Sequence, residues 1–171
     1  MIVLGIDPGT AITGFAVLSC RASEPALIDC GVIRTEKSES SERRLLTLHG
    51  CLSDLISRHT PSDVAVEQLF FNTNVSTAIK VGQARGVVLL VAAAAGTRVG
   101  EYTPLQVKQA VVGYGRATKH QVQQMVKSIL GLSEVPHPDD AADAVAVALC
   151  HAYSAKFKQK LSAARASGKS S

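Results

Sequence analysis

The chain has 171 residues, the size of one ordinary domain, and its 46 % hydrophobic content is enough for a normal buried core. Its four cysteines lack zinc-type spacing and are typical of reduced thiols in a cytoplasmic protein. No basic leader precedes the first apolar segment, and the longest apolar run, nine residues, is well short of the about 20 that a membrane span needs. We therefore expect a cytoplasmic protein that does not span a membrane.

The charge is distributed unevenly. Residues 1–79 have six basic and nine acidic side chains, whereas residues 80–127 have seven basic side chains and one acid. Residues 128–154 contain four acids and no Lys or Arg, and residues 155–171 contain five basic residues and no acid. Basic regions around an acidic segment suit a polyanion partner whose charge is met by protein cations and by metal ions. A solvated helix face and a soluble tail explain the same pattern equally well.

The first part of the chain has the pattern of a β-meander, a helix and a fourth strand. Apolar runs separated by turn residues predict strands over 2–7, 12–19 and 26–34. From Ser41, Leu and Ile recur at helical spacing until Pro61, and the short apolar run 63–67 predicts the next strand.

The second part is mostly helical. The pattern predicts a strand over 98–102 and helices over 75–95, 104–112, 118–130 and about 138–154. Long crossover connections favour parallel pairing of the later strands, which indicates one α/β domain with a mixed sheet. We assign residues 1–157 to this domain, and we expect the small, polar and basic residues 158–171 to form a disordered tail.

Four carboxylates occupy positions that suit metal-dependent phosphoryl transfer. Asp7 and Glu67 each end an apolar strand, and they meet at one sheet edge if those strands are parallel neighbours. Asp140 and Asp143 are spaced i, i+3, which places them on one helix face. Oxygen ligands suit Mg²⁺, and two ions about 4 Å apart can activate a water and stabilise a leaving oxygen.

Each of these acids also has a purely structural explanation. Asp7 can form the turn that follows its strand, and Glu67 can be an exposed strand end. Asp140 and Asp143 can complement the dipole of a helix for which Asp139 is the expected N-cap. The sequence pattern leaves these explanations open for each acid, and it is the set of four that predicts a metal site.

Five stretches of the chain together resemble the RuvC family of Holliday-junction resolvases, and they cover most of residues 2–151: LGIDPGTAITGFAV, VAVEQLFF, STAIKVGQARGV, QVKQAVVGYGRATKHQVQQMV and DDAADAVAVALCHA. The resemblance implies a ribonuclease H-like α/β fold, with a five-stranded mixed sheet flanked by helices in a single domain. It also implies a homodimeric crossover junction endodeoxyribonuclease of recombination and repair. Such an enzyme introduces paired symmetric nicks in a four-way DNA junction and works with the RuvA–RuvB branch-migration complex.

By motif position, Asp7, Glu67, Asp140 and Asp143 match the family's catalytic, metal-binding acids. The resemblance implies two Mg²⁺ ions per active site, for which Mn²⁺ is an alternative. Our hypothesis is that Asp7 bridges both ions, that Glu67 and Asp143 hold one each, and that Asp140 holds or orients the metal on the water side. The choice of Asp140 over its neighbour Asp139 depends on the register of the DAAD motif.

The resemblance also implies DNA contacts. Lys108 and Lys119 match basic residues near the scissile strand, and Lys119 is our candidate for a catalytic lysine. Phe70 matches an aromatic residue that stacks on a base, although it could be a core residue. Arg85 and Arg116 are further candidates for DNA binding. Arg85 could instead face the dimer partner, and the turn before Arg116 could be a simple helix connector.

Three other functions fit parts of the pattern. The IDPGT turn also resembles the first phosphate loop of actin-like ATPases, but 171 residues leave no space for their second lobe. A non-catalytic junction-binding module would keep the fold, although acids beside phosphates repel DNA unless metal ions neutralise them. A nuclease that cleaves RNA–DNA hybrids would share the active-site chemistry. Each function predicts a different activity. The ATPase would bind nucleotides, the binding module would bind junctions without cleaving them, and the third nuclease would cleave RNA–DNA hybrids.

Overall fold

The computed structural model describes residues 1–21, 24–68 and 75–167. The strands are β1 (Ile2–Asp7), β2 (Ile12–Arg21), β3 (Glu24–Arg34), β4 (Asp63–Glu67) and β5 (Arg98–Tyr102). The helices are α1 (Ser41–His59), α2 (Val75–Ala94), α3 (Pro104–Val112), α4 (Lys119–Leu130) and α5 (Asp139–Ser167). The order of these elements along the chain confirms the predicted order.

The five strands form one mixed sheet in the order β3-β2-β1-β4-β5. The meander β1–β2–β3 pairs antiparallel, whereas β4 pairs parallel with both β1 and β5. Ile6 of β1 is in register with Val66 of β4, so the next residues, Asp7 and Glu67, end neighbouring strands at the same edge of the sheet. The predicted parallel pairing of β1 and β4 is therefore confirmed.

Two apolar clusters cover the two faces of the sheet. On one face, buried residues of α3, α4 and α5 pack against the strands, with Val107, Val126 and Leu149 among them. On the other face, buried residues of α1 and α2 do the same, with Leu52 and Val88 among them. The sheet is thus the middle layer of a three-layer α/β domain, as expected for crossover connections that place helices on both faces.

Helix α5 lies directly on β1 and β2 because the facing residues are small. Ala141, Ala144 and Ala148 are fully buried against the sheet. A side chain at Gly5 would place its Cβ 2.7 Å from the Cβ of Ala148, and a side chain at Gly14 would overlap the backbone of Asp140. The two glycines therefore let the helix approach the sheet closely enough to bring its first turns beside the end of β1.

A buried polar cluster anchors α5 on β4 and β5. His151 of α5 places its Nε2 atom 3.3 Å from Asp63 Oδ1 and its Nδ1 atom 3.0 Å from the hydroxyl of Tyr102. Arg98 donates to Asp63 over 2.9 Å, and the imidazole lies over Gly100, where a side chain would collide with it. Burial lowers the pKa of His151, which favours the neutral imidazole. The cluster fixes where α5 sits along the strands.

Helix α5 is longer than predicted. We expected it to end near Ser154, but it continues to Ser167 and thus includes most of the segment for which we predicted a disordered tail. Residues 155–167 contain neither Gly nor Pro and are rich in Ala and Lys, which are good helix formers. The predicted domain boundary at residue 157 stays a prediction, and α5 crosses it without a break.

The close packing of α5 predicts that Gly5→Ala destabilises the protein. The added methyl group would overlap α5, and overpacking of this kind costs about 1–3 kcal/mol of unfolding free energy. Gly50→Ala is the matched control, because an added Cβ there meets nothing within 4 Å and should stabilise α1 by roughly 0.5–1 kcal/mol. Urea denaturation measures both changes, and a Gly5→Ala protein as stable as the wild type would contradict this account of the packing.

Candidate active site

Two strand ends and one helix start place the four predicted acids at one edge of the sheet. Asp7 ends β1 and Glu67 ends its parallel neighbour β4, and a side-chain hydrogen bond joins them. Asp140 and Asp143 lie in the first turns of α5, and their negative charges act on Asp7. The structure therefore brings together all four acids that the sequence singled out.

Burial and neighbouring acids destabilise the ionised forms of Asp7, Glu67 and Asp143. Burial, and then repulsion from Asp143 and Asp140, raises the pKa of Asp7 to about 7. Burial and the charge of Asp7 raise the pKa of Glu67 to about 8, and burial also raises the pKa of Asp143. Because one pKa unit corresponds to about 1.4 kcal/mol, full ionisation of this cluster is unfavourable unless a cation binds.

The turn that follows β1 does not use the carboxylate of Asp7. Instead, the hydroxyl of the buried residue Thr13 donates to the carbonyl of Gly9 over 2.5 Å and accepts the N–H of Gly9 at 3.3 Å. The structural explanation for Asp7, a turn-forming residue, therefore does not apply. Sequence analysis missed Thr13, whose signal is a hydroxyl residue four positions after the glycine of IDPGT.

The two predicted lysines both lie near the acids. Lys119, the first residue of α4, has its Nζ atom 2.8 Å from Asp143 Oδ2, and its charge lowers the pKa values of Asp7 and Glu67 against the larger effect of burial. Lys108, in α3, exerts the same effect on Glu67. The site thus combines a cluster of acids with two cations at its rim.

Capping boxes fix the starts of the two helices that carry these lysines. The side chain of Thr103 accepts the backbone N–H of Gln106, whose side chain accepts the N–H of Thr103. Thr118 and Gln121 form the same arrangement at the start of α4, one residue before Lys119. Both motifs, TPLQ and TKHQ, are visible in the sequence, but sequence analysis did not use them.

Asp139 does not have its predicted position as the N-cap of the last helix. It is the first residue of α5, and its Oδ1 atom accepts a hydrogen bond of 3.0 Å from Gln123 Nε2. Its Oδ2 atom lies 3.3 Å from Lys119 Nζ. Asp139 therefore lies inside the helix and not before it, and the helix starts within one residue of the predicted start near residue 138. Sequence analysis missed Gln123 because no local pattern links it to α5.

Two of the remaining DNA-binding candidates, Arg85 and Arg116, are not among the groups that act on the acids. Arg85, in α2, forms an ion pair with Glu101 of β5. Arg116 is exposed in the connection between α3 and α4. Phe70 lies outside the described residues. DNA binding by all three stays a prediction.

The donor set suits a hard divalent cation. All four acids offer carboxylate oxygens, the ligands that Mg²⁺ prefers. Burial and the neighbouring acids raise the pKa values of Asp7 and Glu67, so a bound cation would stabilise their ionised forms. Within residues 1–21, 24–68 and 75–167, no three Asp, Glu, His or Cys side chains already converge tightly enough to hold an ion. Mg²⁺ does not require such a cage, because it keeps several waters and uses one or two carboxylates.

A cavity of about 660 Å³ lies near the opposite ends of the strands, around Met1, Arg98 and His151. None of the four acids lines it. Its polar floor is the Asp63–His151 cluster that anchors α5. We therefore assign the chemistry to the carboxylate edge, where charge is concentrated, and a structural role to the polar floor of the cavity.

The sheet order, the acids at two strand ends and the helix that completes the cluster define a nuclease of the ribonuclease H-like fold, a class of α/β protein. A family model described as "Crossover junction endodeoxyribonuclease RuvC" matches residues 3–151. The chain belongs to the RuvC family, whose nucleases are metal-dependent.

Individual relatives agree with this assignment. The chain is 55 % identical to the crossover junction endodeoxyribonuclease RuvC of Pelotomaculum thermopropionicum over 94 % of its own length and 98 % of that protein. The structure of Thermus thermophilus RuvC superposes with a TM-score of 0.87 at 40 % identity, covering 92 % of this chain and 97 % of the other. The same protein in complex with a Holliday junction substrate gives a TM-score of 0.84 at 39 % identity, with 92 % and 96 % covered.

The raised pKa values predict that the metal-free protein loses stability as the pH rises. The folded protein keeps protons that the unfolded chain releases, because the pKa of Asp7 rises from 3.8 to about 7 and that of Glu67 from 4.5 to about 8. Unfolding free energy should therefore fall between about pH 4 and pH 8. Asp7→Asn should reduce this loss and stabilise the protein at pH 8 by on the order of 2 kcal/mol.

Urea denaturation in chelator at several pH values measures this effect. The control is Asp54→Asn, which removes an exposed acid of α1 and should leave the pH dependence unchanged. An Asp7→Asn protein with the wild-type pH dependence would show that the cluster is not electrostatically strained.

Proposed function

We propose that this protein is a structure-selective DNA endonuclease that resolves Holliday junctions by paired symmetric nicks, in recombination and repair. The observation that carries the proposal is the cluster of Asp7, Glu67, Asp140 and Asp143, whose ionised forms need a cation, with Lys119 at its rim. Family membership and the solved complex of Thermus thermophilus RuvC with a Holliday junction substrate support the choice of substrate. We expect the protein to act in the cytoplasm, together with a RuvA–RuvB complex.

We infer that the four acids hold two Mg²⁺ ions, or Mn²⁺ in their place. Asp7 is the best candidate to bind both ions, because it forms a hydrogen bond with Glu67 and the charges of both α5 acids raise its pKa. When bound, the ions would activate a water and stabilise the leaving 3′ oxygen. Ionised acids next to a phosphate would otherwise repel the DNA, so substrate binding depends on metal binding.

We expect the lysines and nearby surface residues to contact the scissile phosphate and the DNA strand. Lys119 and Lys108 lie beside the acids and can stabilise negative charge that develops on the scissile phosphate. Arg116 is exposed in the α3–α4 connection, where it can contact the DNA backbone, and Arg85 is a weaker candidate because Glu101 already pairs with it. Phe70, in the segment that follows β4, would stack on an unpaired base, which is worth about 1–3 kcal/mol.

We also infer that the protein acts as a homodimer through α2. One side of this helix packs in the core, but Val75, Ile79 and Leu90 are 73 %, 58 % and 62 % exposed and lie along one stripe of the helix. Gly86 lies in the same stripe, and a side chain there would meet nothing within 4 Å. An open apolar stripe with a glycine permits close packing of a second copy, and a two-fold dimer would present two sites to a branched substrate.

By length and composition alone, α2 is the one described helix that could also cross a membrane, with 22 % of the relevant window buried. Its interior charges argue against that alternative. Arg85 forms an ion pair with Glu101 of β5, and Lys80 is a second charge in the same helix. A bilayer core disfavours such charges by several kcal/mol each, whereas a protein dimer leaves them at its rim.

The proposal predicts metal-dependent paired nicking of a four-way junction with a mobile core. Asp7→Asn should reduce the nicking rate at least about 100-fold while leaving junction binding intact, because it removes a charge from the metal site and keeps the side-chain shape. Labelled junctions incubated with Mg²⁺ or with chelator measure the rate, and Asp54→Asn is the control for the change of net charge. Linear duplex and an RNA–DNA hybrid should be cleaved much more slowly.

The other outcomes separate the rival functions. Tight junction binding with no cleavage in Mg²⁺ or Mn²⁺ would contradict the catalytic proposal and favour a binding module. Faster cleavage of the hybrid than of the junction would favour a nuclease of RNA–DNA hybrids.

The dimer proposal predicts that Leu90→Glu produces a monomer. A carboxylate at Leu90, within the exposed stripe, would be buried in the dimer, which costs roughly several kcal/mol. Ile28→Glu is the matched control, because Ile28 is 49 % exposed on β3 at the far edge of the sheet. Sedimentation velocity distinguishes the two states, and a Leu90→Glu protein that stays dimeric would exclude this face.

A further inference from the structure

Two pairs of side chains with the same spacing join the start of α4 to the start of α5. Lys119 and Gln123 are one turn apart on α4, and Asp139 and Asp143 are one turn apart on α5. Lys119 Nζ lies 2.8 Å from Asp143 Oδ2 and 3.3 Å from Asp139 Oδ2, and Gln123 Nε2 donates to Asp139 Oδ1 over 3.0 Å. One ammonium group is therefore shared between two carboxylates, and one of these is itself held by Gln123.

The two carboxylates that share Lys119 have different surroundings. The side chain of Asp143 is 32 % exposed, and its charge helps to raise the pKa values of Asp7 and Glu67, so it belongs to the acid cluster. The side chain of Asp139 is 58 % exposed and lies at the rim, between Lys119 and Gln123. Asp143 can thus bind another cation while Asp139 keeps its contacts with Lys119 and Gln123.

Lys119 needs an anion to stay at this position. It is the first residue of α4, where the unpaired N–H groups and the helix dipole disfavour a cation. A divalent ion at Asp143 would compete with Lys119 for the same carboxylate oxygens. With no other anchor, the ammonium group would move into solvent, away from the place where a scissile phosphate would bind.

We propose that Asp139 is a positioning residue for Lys119, which keeps the ammonium group at the rim of the acids while Asp143 binds a divalent ion. This inference rests on the proposed metal-dependent nuclease function. When a metal ion binds Asp143, Lys119 loses that carboxylate but keeps its contact with Asp139. Metal binding is therefore easier, because Lys119 does not have to move into solvent. Asp139 also leaves Lys119 close to the acids, where it can act on the phosphate.

A double-mutant cycle on Mn²⁺ binding tests this role in the absence of DNA. Free Mn²⁺ is measured by electron paramagnetic resonance during titration of the wild type, Asp139→Asn, Lys119→Met and the double variant. Asp139→Asn should weaken Mn²⁺ binding about fivefold in the wild type and less than about twofold in the Lys119→Met background, because its effect depends on Lys119. Lys119→Met alone should tighten Mn²⁺ binding, since it removes the competing cation.

Two further variants separate positioning from charge. Asp139→Glu keeps the carboxylate and should restore Mn²⁺ binding, whereas Glu134→Gln makes the same change of net charge as Asp139→Asn in the loop between α4 and α5 and should have little effect. At saturating Mn²⁺, Asp139→Asn should lower kcat for junction nicking with KM for the junction unchanged, and Asp139→Glu should recover it. The side chains of Lys119, Glu134 and Asp139 are all exposed, so the variants should fold.

The possible failures are distinguishable. An effect of Asp139→Asn that is equally large in the Lys119→Met background would show that Asp139 acts only as a nearby charge, and the inference would be overturned. No effect in either background would overturn it as well. If instead the wild type binds Mn²⁺ no better than Asp7→Asn, the proposed metal site itself is wrong.

Discussion

The close approach of α5 to β1 and β2 is the constraint on which the active site depends. Gly5 and Gly14 remove the side chains that would separate the helix from the sheet, and the alanines of α5 keep its facing side flat. His151 then fixes the position of the helix along the strands through Asp63. If α5 were displaced outward by the width of one methyl group, Asp140 and Asp143 would move away from Asp7, and the cluster would lose two of its four acids.

Bringing these carboxylates together opposes folding, and the site is useful for the same reason. Burial and mutual repulsion raise the pKa values of Asp7 and Glu67, so both acids ionise near neutral pH only if positive charge lies close to them. Lys119 supplies part of that charge through Asp143. A divalent ion can supply the remaining positive charge. Its binding would relieve the repulsion between the acids, and this relief would contribute to the affinity for the metal. The acids at this edge lower the stability of the fold and favour metal binding, while the two apolar clusters stabilise the rest of the domain.

Local patterns in the sequence predicted the elements and the four acids, since periodicity and turn residues report directly on strands and helices. The parallel pairing of β1 with β4 also followed, because only that pairing brings Asp7 and Glu67 to one edge. The predicted end of α5 near Ser154 was wrong, because good helix formers continue the helix to Ser167, whereas disorder of residues 158–171 stays a prediction. Sequence analysis also placed Asp139 one residue outside the helix, because the start of a helix depends on backbone geometry that composition does not define.

The sequence by itself determined which residues could do the chemistry, because carboxylates at strand ends and in a first helical turn are recognisable from residues close together in the chain. Only the tertiary structure decided which of them interact. Thr13 closes the turn after β1 and so leaves Asp7 available, and Gln123 holds Asp139, which shares Lys119 with Asp143. The partners in the α4–α5 contacts are 16 to 24 residues apart in the chain, and His151 and Asp63 are even further apart. Such pairs are set by the packing of helices on the sheet, which no local pattern encodes.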